Sequence, residues 1–515
     1  MSQLQNNQPS VQKEQLFDIK FNTKIISAII ILVFFILLLF LLHSKFPIFM
    51  DEALYSDITN NFIRGNGFGT SLFKDFIPYV ERYSYWYPPV YFLVLATTYL
   101  LFGVSITTAR LLSLLCGSLV LTSIYFLTKH WYRSDKTIII TLIVLATDHY
   151  FQDGSIVARM EILTLLFGVF ALHHHLNFLS KKTTSHNLAS GVFSALSLLT
   201  HPTAAIILIP IIISLTFQKK LIWKKRITNL AIYGLPIVFC LSIWIVSFWK
   251  NKEIFLVQNI VQLHRKQYSS SFVIETFKYK YLHRIVLSVY YLSNLYFVIS
   301  LLIKKELRSL KRFLLACLVL TSSILPILFK EMWYLIYTSF FGAIVLSLNI
   351  ENFLTSKKIK LLAILAIIVP VINSAIFFNR VNEINNSHDY FELSQKLASY
   401  LPAKAKVLSA SYPDPFFYIE KERPDVQMRV TPNNPESEPI DVDVYNKIFN
   451  DVDYIIASYF LNNYIYQYIE MNQEEILYDN YAETGKERIW VLKLKNKELR
   501  KPIQSELTWT YPQLQ

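Results

Sequence analysis

A series of long apolar runs constrains this chain more than any other feature. The run 25–42 holds 18 residues without a charge, which as a helix would be about 27 Å long, close to the thickness of the hydrocarbon core of a bilayer. The 515 residues are 53% hydrophobic and only 17% charged. This composition excludes an ordinary soluble protein and predicts a polytopic α-helical membrane protein.

Basic residues gather in short loops between the apolar runs, and they predict a topology. Loops rich in Lys and Arg favour the cytoplasmic side, and here they are 129–136, 180–182, 218–226, 304–312 and 355–360. With the N-terminus also inside, about 11 transmembrane helices result. The expected crossings are 25–42, 107–128, 137–149, 161–179, 187–200, 203–217, 227–249, 283–303, 313–329, 333–350 and 359–378.

The apolar segment 88–103 does not fit this count. If it crossed the membrane, loop 129–136 and every later basic loop would change sides. We therefore expect a helix that lies in or dips into the outer leaflet, with a full crossing left open.

The two ends of the chain differ from the apolar middle. Residues 1–20 are polar and rich in Gln and Asn, which predicts a disordered cytoplasmic tail before a transmembrane domain at 21–379. Residues 380–515 contain 15 Lys and Arg and 21 Asp and Glu, a net charge of −6. Because the whole chain has a net charge of +13, residues 1–379 carry +19. The stretches KVLSASY, VDYIIASY and ERIWVLKLK predict strands and HDYFELSQKLASYLP a helix. Residues 380–515 are thus expected to form a small extracytoplasmic mixed α/β domain.

Chemically useful side chains collect in the segments that this topology places outside. Asp51 and Glu52 follow the first crossing directly, and the other members of the set are Arg82, Tyr87, Asp153, Arg159, Glu161, His201, Trp333 and Tyr337. A carboxylate at the membrane face can deprotonate a hydroxyl as it attacks an anomeric carbon. Cations can stabilise a departing lipid phosphate, and aromatic rings can stack on sugars or anchor at the interface. The set predicts group transfer from a lipid-linked donor.

The same segments carry a family resemblance. MDEALYSDITNNFIRGNGFG, then YPPVYFLVLATTYLLFGVSITTARLLSLLCG, then VARMEILTLLF, resemble the membrane glycosyltransferases of the GT-C class. Closest are those of glycosyltransferase family 39, which include protein O-mannosyltransferases and the lipid A aminoarabinose transferase. The resemblance covers roughly residues 20–380 and is strongest over 50–170. It implies a GT-C-like fold and a polyprenyl-phosphate-linked sugar donor.

Several residues match positions of that family. The resemblance assigns Asp51 to the acidic residue on which the chemistry depends, Glu52 to its partner and Glu161 to the second-loop acid. Arg159 and Arg110 match family arginines. The chain departs at Tyr87, where relatives commonly have Lys or His before the Pro pair, so the donor-phosphate contact expected there is in doubt and Arg82 is the alternative.

These observations predict an inverting glycosyltransferase that moves a sugar from a polyprenyl-phosphate donor to a hydroxyl on the outer face. Asp51 would be the general base, with Glu52 and Glu161 orienting the substrates. The partners are that donor, a lipid, glycan or protein acceptor and membrane lipids, with no nucleic acid. No cofactor is required, although the paired acids allow a divalent metal. Nucleotide-binding signatures such as GxGxxG are absent from the sequence.

Two other classes remain open at this stage. A polytopic transporter of a lipid-linked or small solute would share the composition, but it usually keeps ionisable groups near the bilayer midplane and shows internal repeats. Here the acids lie at predicted helix ends and no repeat is visible. A membrane anchor for a C-terminal binding module would explain neither the many apolar runs nor the first-loop acids.

Overall fold

The structure is a computed structural model of the chain. It describes residues 22–42, 50–72, 74, 77, 79–132, 134–218, 221–267, 282–329, 331–354, 360–385, 389–411, 415–430, 442–458, 463–480 and 489–503. The predicted N-terminal tail, residues 1–20, lies outside the described residues.

Helices form most of the described chain that precedes residue 386. They are α1 (Thr23–Leu41), α2 (Met50–Ile63), α3 (Val90–Phe102), α4 (Ile106–Leu127), α5 (Asp135–Ala146), α6 (His149–Ile156), α7 (Met160–Lys181), α8 (Thr184–Leu198), α9 (Ala205–Thr216), α10 (Trp223–Phe248), α11 (Lys252–Gln267), α12 (Leu282–Ile303), α13 (Leu310–Phe329), α14 (Leu335–Leu354) and α15 (Lys360–Asn385). Each predicted crossing coincides with one of these helices.

Seven helices in the described chain are long and apolar enough to cross a membrane, which makes this a multi-pass membrane protein. The remaining predicted crossings correspond to α5, α8, α9 and α15. The first three have only 12 to 15 residues, short of the roughly 20 that a perpendicular crossing needs. The count of about 11 therefore stays a prediction.

Helix α3 explains why segment 88–103 was hard to assign. It has 13 residues, so at about 1.5 Å per residue it is roughly 20 Å long and does not match the thickness of the hydrocarbon core. The Pro pair at 88–89 precedes it and Gly103, with φ +83°, ends it. This length agrees with the expected outer-leaflet helix, whose depth stays a prediction.

The helices differ greatly in how much they bury. In the helical stretch Met332–Asn352, most of which belongs to α14, 94% of the residues in its apolar 18-residue window are buried. In the stretch Trp223–Ile260, which contains α10, the corresponding share is 6%. α14 is therefore a central helix, and α10 lies at the periphery, where an apolar exposed face suits lipid.

The C-terminal region forms the small α/β domain that the sequence predicted. Its helices are α16 (Tyr390–Ser399), α17 (Phe416–Glu422), α18 (Val442–Asp451) and α19 (Asn463–Asn472), and its strands are β1 (Lys406–Ala410), β2 (Gln427–Val430), β3 (Tyr454–Ser458), β4 (Gln473–Asp479) and β5 (Ile489–Leu494). The strand order is β2-β1-β3-β5-β4. β1 is parallel to β2 and β3, and β5 is antiparallel to β3 and β4.

Two details of this domain differ from the sequence-based expectation. Neither β2 nor β4 was predicted from the sequence. In addition, α15 continues to Asn385, past the predicted boundary at 379. One hydrophobic core includes residues of both the membrane helices and the C-terminal domain, so the domain packs against the membrane part.

Candidate active site

Helix α2 brings the first-loop acids to the site. Asp51 and Glu52 occupy its first turn, where the helix dipole stabilises negative charge. Glu52 is fully buried, and so is Arg110 of α4, which is 1% exposed. Arg110 donates two hydrogen bonds to this carboxylate, Nε to Oε1 at 2.8 Å and Nη2 to Oε2 at 2.7 Å. Such a bidentate pair fixes geometry as well as charge, so α2 and α4 are held in one relative position.

A second set of contacts joins α2 to the loop before α7. The backbone N–H of Ala158 donates to Oε1 of Glu52 at 2.9 Å, and the next residue, Arg159, forms an ion pair with Asp51. Arg159 also donates to Glu161 of α7, through Nη2 at 2.8 Å and Nε at 3.2 Å. The guanidinium of Arg159 thus bridges two carboxylates that the sequence predicted to be catalytic.

Arg159 lies at the edge of a cavity. Its guanidinium carbon is 4.4 Å from the centre of the Trp333 ring, a cation–π contact. The cavity encloses about 150 Å³ and is lined by His149, Tyr150, Asp153, Gly154, Arg159, Glu161, Met332 and Trp333. A single water molecule needs roughly 10–15 Å³ of such a cavity, so this cavity can hold a group much larger than a water molecule. Asp51 does not line it but contacts Arg159, which does.

Asp153 on α6 also lines this cavity. It forms an ion pair with Arg380 near the end of α15, and its carboxylate is 3.2 Å from Nε2 of His149. The structure therefore places Asp153 in the cavity lining, with its charge balanced by a residue that the sequence analysis did not select.

The remaining predicted residues lie at varying distances from the cavity. His201 caps a short 3-10 helix through Thr203, and its ring centroid is 5.6 Å from that of Tyr334. Tyr337 is fully buried behind Glu161 and shares a hydrogen bond of 2.9 Å with the Thr203 hydroxyl. Neither residue lines the cavity.

The two residues considered for the phosphate contact in the first outer loop are also outside the cavity lining. Tyr87 packs edge-on against Tyr55 of α2, with ring centroids 5.2 Å apart. Arg82 is exposed on the loop before α3. The structure thus brings together Asp51, Glu52, Arg110, Asp153, Arg159, Glu161 and Trp333. Arg82, Tyr87, His201 and Tyr337 lie outside this set.

His149, Tyr150, Met332 and Arg380 were missed by the sequence analysis. His149 had a detectable signal, because it stands four residues before Asp153 in one helix and such residues share a face. Arg380 had none, since only the three-dimensional packing of α15 against α6 brings it to Asp153. Among the described residues, no group of three or more His, Cys, Asp or Glu side chains is arranged to hold a metal ion.

Residues 87–245 match the family described as dolichyl-phosphate-mannose-protein mannosyltransferase. No curated protein matches the chain by sequence. The matched segment begins at Tyr87 and includes Arg110, Asp153, Arg159 and Glu161, but it starts after Asp51 and Glu52.

The fold is similar to those of two proteins of known structure. The structure of ArnT from Cupriavidus metallidurans in the apo state has a TM-score of 0.57 at 11% identity, covering 93% of this chain and 99% of that one. The structure of the same protein bound to undecaprenyl phosphate has a TM-score of 0.54 at 11% identity, covering 91% of this chain and 97% of that one. The archaeal oligosaccharyltransferase AglB from Archaeoglobus fulgidus, in complex with an inhibitory peptide and a dolichol-phosphate, gives 0.55 at 12% identity, covering 85% and 69%.

At identities this low the structural likeness concerns the fold, and it extends over most of the chain. The segment that matches the family, residues 87–245, contains six of the eight residues that line the cavity. The resemblance that the sequence predicted is therefore confirmed: residues 87–245 match a mannosyltransferase family, and this multi-pass membrane protein has a fold similar to those of ArnT and AglB.

Proposed function

We propose that the protein transfers one sugar from a polyprenyl-phosphate carrier to an acceptor hydroxyl at the extracytoplasmic membrane face. The observation that carries the proposal is Arg159, which contacts the carboxylates of Asp51 and Glu161 and stacks on Trp333 at the edge of the cavity. An arginine fork matches a phosphate as well as it matches a carboxylate. The fold neighbours described with undecaprenyl phosphate and dolichol-phosphate support a donor of this class.

The proposed step is a single displacement with inversion. The acceptor oxygen attacks the anomeric carbon of the donor and forms the new glycosidic bond, while its proton passes to the Asp51 carboxylate. The bond between the anomeric carbon and the phosphate oxygen breaks on the opposite side, and the electron pair leaves with the polyprenyl phosphate. Asp51 suits the role of base because its side chain is 32% exposed, whereas that of Glu52 is fully enclosed by Arg110 and Ala158.

Arg159 supplies the positive charge for the departing phosphate in this scheme. In the structure, which contains no donor, the guanidinium group of Arg159 forms ion pairs with both Asp51 and Glu161. A donor phosphate would compete with Asp51 for the guanidinium, so donor binding would release the base at the moment when an acceptor can use it. Preorganised charge of this kind stabilises the transition state more than an equally charged group in water.

The other residues then have distinct roles. Glu52 and Arg110 act as positioning residues, because they tie the first turn of α2 to α4 and to Ala158. Glu161 and Asp153, which line the cavity, orient the sugar, and Trp333 offers a face for stacking. His201 and Arg82 remain proposed phosphate or acceptor contacts around the cavity.

The first test is sugar transfer by the purified protein in lipid. A panel of polyprenyl-phosphate sugars with radiolabelled sugar is offered together with a membrane extract as the source of acceptor. We expect label to move to the acceptor fraction from at least one donor, with the freed carrier recovered as the phosphate. Hydrolysis without acceptor labelling, or release of the carrier as a diphosphate, would contradict the proposed reaction.

A further inference from the structure

A second pair of acids, one on α2 and one in the C-terminal domain, lies outside the cavity lining. Asp57 stands six residues after Asp51 on α2 and is 4% exposed. Its carboxyl group is in hydrogen-bond contact with the carboxyl group of Glu420, which belongs to α17 of the C-terminal domain. The proposed mechanism does not use either group. Their contact connects the helix that carries the proposed base to the extramembrane domain.

The loop between α2 and α3 encloses this contact. The Thr70 hydroxyl donates to Oδ2 of Asp57 at 2.5 Å, and the Ser71 hydroxyl donates to Oε1 of Glu420 at 3.0 Å. Asn61, one turn further along α2, has its amide nitrogen 3.4 Å from both oxygens of Asp57. Neighbouring side chains therefore supply neutral donors to both carboxyls, and the pair lies in a defined arrangement.

Nearby charges do not neutralise the pair. Burial raises the pKa of Asp57 well above its ordinary value, and the charge of Glu420 raises it further. Burial also raises the pKa of Glu420. Arg64 acts on both groups and Lys74 on Glu420 in the opposite direction, but these effects are smaller than that of burial.

We infer that Asp57 and Glu420 share one proton and that this shared proton fastens the C-terminal domain to α2, which makes both side chains positioning residues for sugar transfer. Two carboxyls in contact cannot both ionise without strong repulsion, whereas a singly protonated pair forms a charge-assisted hydrogen bond. The inference rests on the proposed function, because positioning is defined by the reaction at Asp51.

Helix α17 is placed to transmit this effect. Tyr418, which is 6% exposed, lies close enough to Glu52 and Arg110 to interact electrostatically with both. Lys421 donates through Nζ to the backbone carbonyl of Val104, in the turn between α3 and α4, at 3.0 Å. A loosened α17 would therefore disturb the helices that hold the first turn of α2.

The sign of the pH dependence follows from the raised pKa values. A carboxyl whose pKa is higher in the docked state than in the undocked state favours docking at low pH. This contribution is complete below the ordinary carboxyl pKa and is lost as the pH rises through the raised pKa of the pair. Transfer is thus expected to fall on the alkaline side as the second proton leaves and α17 is repelled from α2.

The test compares Glu420→Gln, Asp57→Asn and Glu420→Ala with the wild type in the full-length protein in lipid. The amide variants keep a neutral hydrogen-bonding group without the second charge, and the alanine variant removes the contact. Glu422→Gln changes an exposed carboxylate on the same helix and is the matched control. Two quantities are measured against pH: the transfer rate and the hydrogen exchange of residues 50–63, corrected for the intrinsic effect of pH on exchange.

In the wild type the transfer rate should fall at high pH. In Glu420→Gln and Asp57→Asn this fall should be absent or should occur at a higher pH, whereas Glu422→Gln should behave like the wild type. Glu420→Ala should exchange about tenfold faster over residues 50–63 and transfer about tenfold more slowly, the effect of leaving one buried partner unpaired. Identical pH profiles for wild type and Glu420→Gln would overturn the inference. If no donor supports transfer, the proposed function fails, and the exchange measurement alone still decides whether the pair fastens α17 to α2.

Discussion

Glu52 carries a fully buried charge that Arg110 balances through two hydrogen bonds. Removing one member of such a pair leaves the other buried without compensation, which typically costs about 3–5 kcal/mol. We expect Glu52→Gln to lower the free energy of unfolding strongly, seen as a lower thermal midpoint of the purified protein. Glu81→Gln changes an exposed carboxylate of the first outer loop and should leave the midpoint unchanged. Equal midpoints for the two variants would show that the buried pair does not hold α2.

Arg159 offers a different test, because its role depends on shape as well as charge. Lysine keeps the charge but cannot contact two carboxylates and a phosphate through a planar fork. Arg159→Lys should therefore lower kcat/KM for the donor by about 100-fold while the protein remains folded. Steady-state transfer at varied donor concentration measures the effect. A change confined to acceptor KM would argue against a donor-phosphate contact.

The acids of the site were selected because they lie in segments that the predicted topology places outside. Their ion-pair partners were not predicted from spacing. Glu52 pairs with a residue 58 positions away, and Asp153 pairs with Arg380 on another helix. Local spacing contains information about neighbours within one helix, such as His149 and Asp153. Pairs between helices depend on packing, which periodicity does not encode. The family resemblance supplied Arg110 and Arg159, and nothing comparable pointed to Arg380.

At the scale of elements, the loop between α2 and α3 depends on Gly69. A Cβ atom there would lie 2.0 Å from the backbone oxygen of Glu81, so the loop segments that contain residues 69 and 81 would have to move apart. Gly69→Ala should displace Thr70 and Ser71 and lower both the thermal midpoint and transfer.

Gly234→Ala is the matched control for that substitution. Gly234 lies within α10 with nothing within 4 Å of the added Cβ, and alanine in a helix interior is favoured over glycine by up to about 1 kcal/mol. The control should therefore be neutral or slightly stabilising. If the two variants unfold at the same temperature, the close approach of Gly69 to Glu81 has no structural importance.

Elements that fill the membrane were predicted far better than the edges of the C-terminal sheet. Each apolar run became a helix because its length and composition leave little alternative in lipid. The missed strands, β2 and β4, are the two edges of the sheet. β2 has four residues, and β4 is largely exposed. Short or charged strands are typical of sheet edges, and they lack the continuous apolar pattern that revealed β1, β3 and β5.

For the whole molecule, sidedness remains a prediction that a labelling experiment can decide. Single cysteines are placed at Lys181, the last residue of α7 on the predicted cytoplasmic side, and at Glu498, in the C-terminal domain, after replacement of the native cysteines; both positions are exposed. In sealed vesicles with the outer face exposed, a membrane-impermeant maleimide should label position 498 and not 181. Detergent should make both accessible. Labelling of position 181 alone in sealed vesicles would reverse the topology.

The central claim is that Asp51 is the base of a sugar transfer, and Asp51→Asn tests it most directly. Asparagine is nearly the same size but does not accept the proton, so transfer in a single turnover should fall by at least about 100-fold. The variant should still bind the donor, because Arg159 and Glu161 are unchanged. Glu81→Gln, measured beside it, should transfer at the wild-type rate. An Asp51→Asn protein that transfers sugar as fast as the wild type would contradict the account.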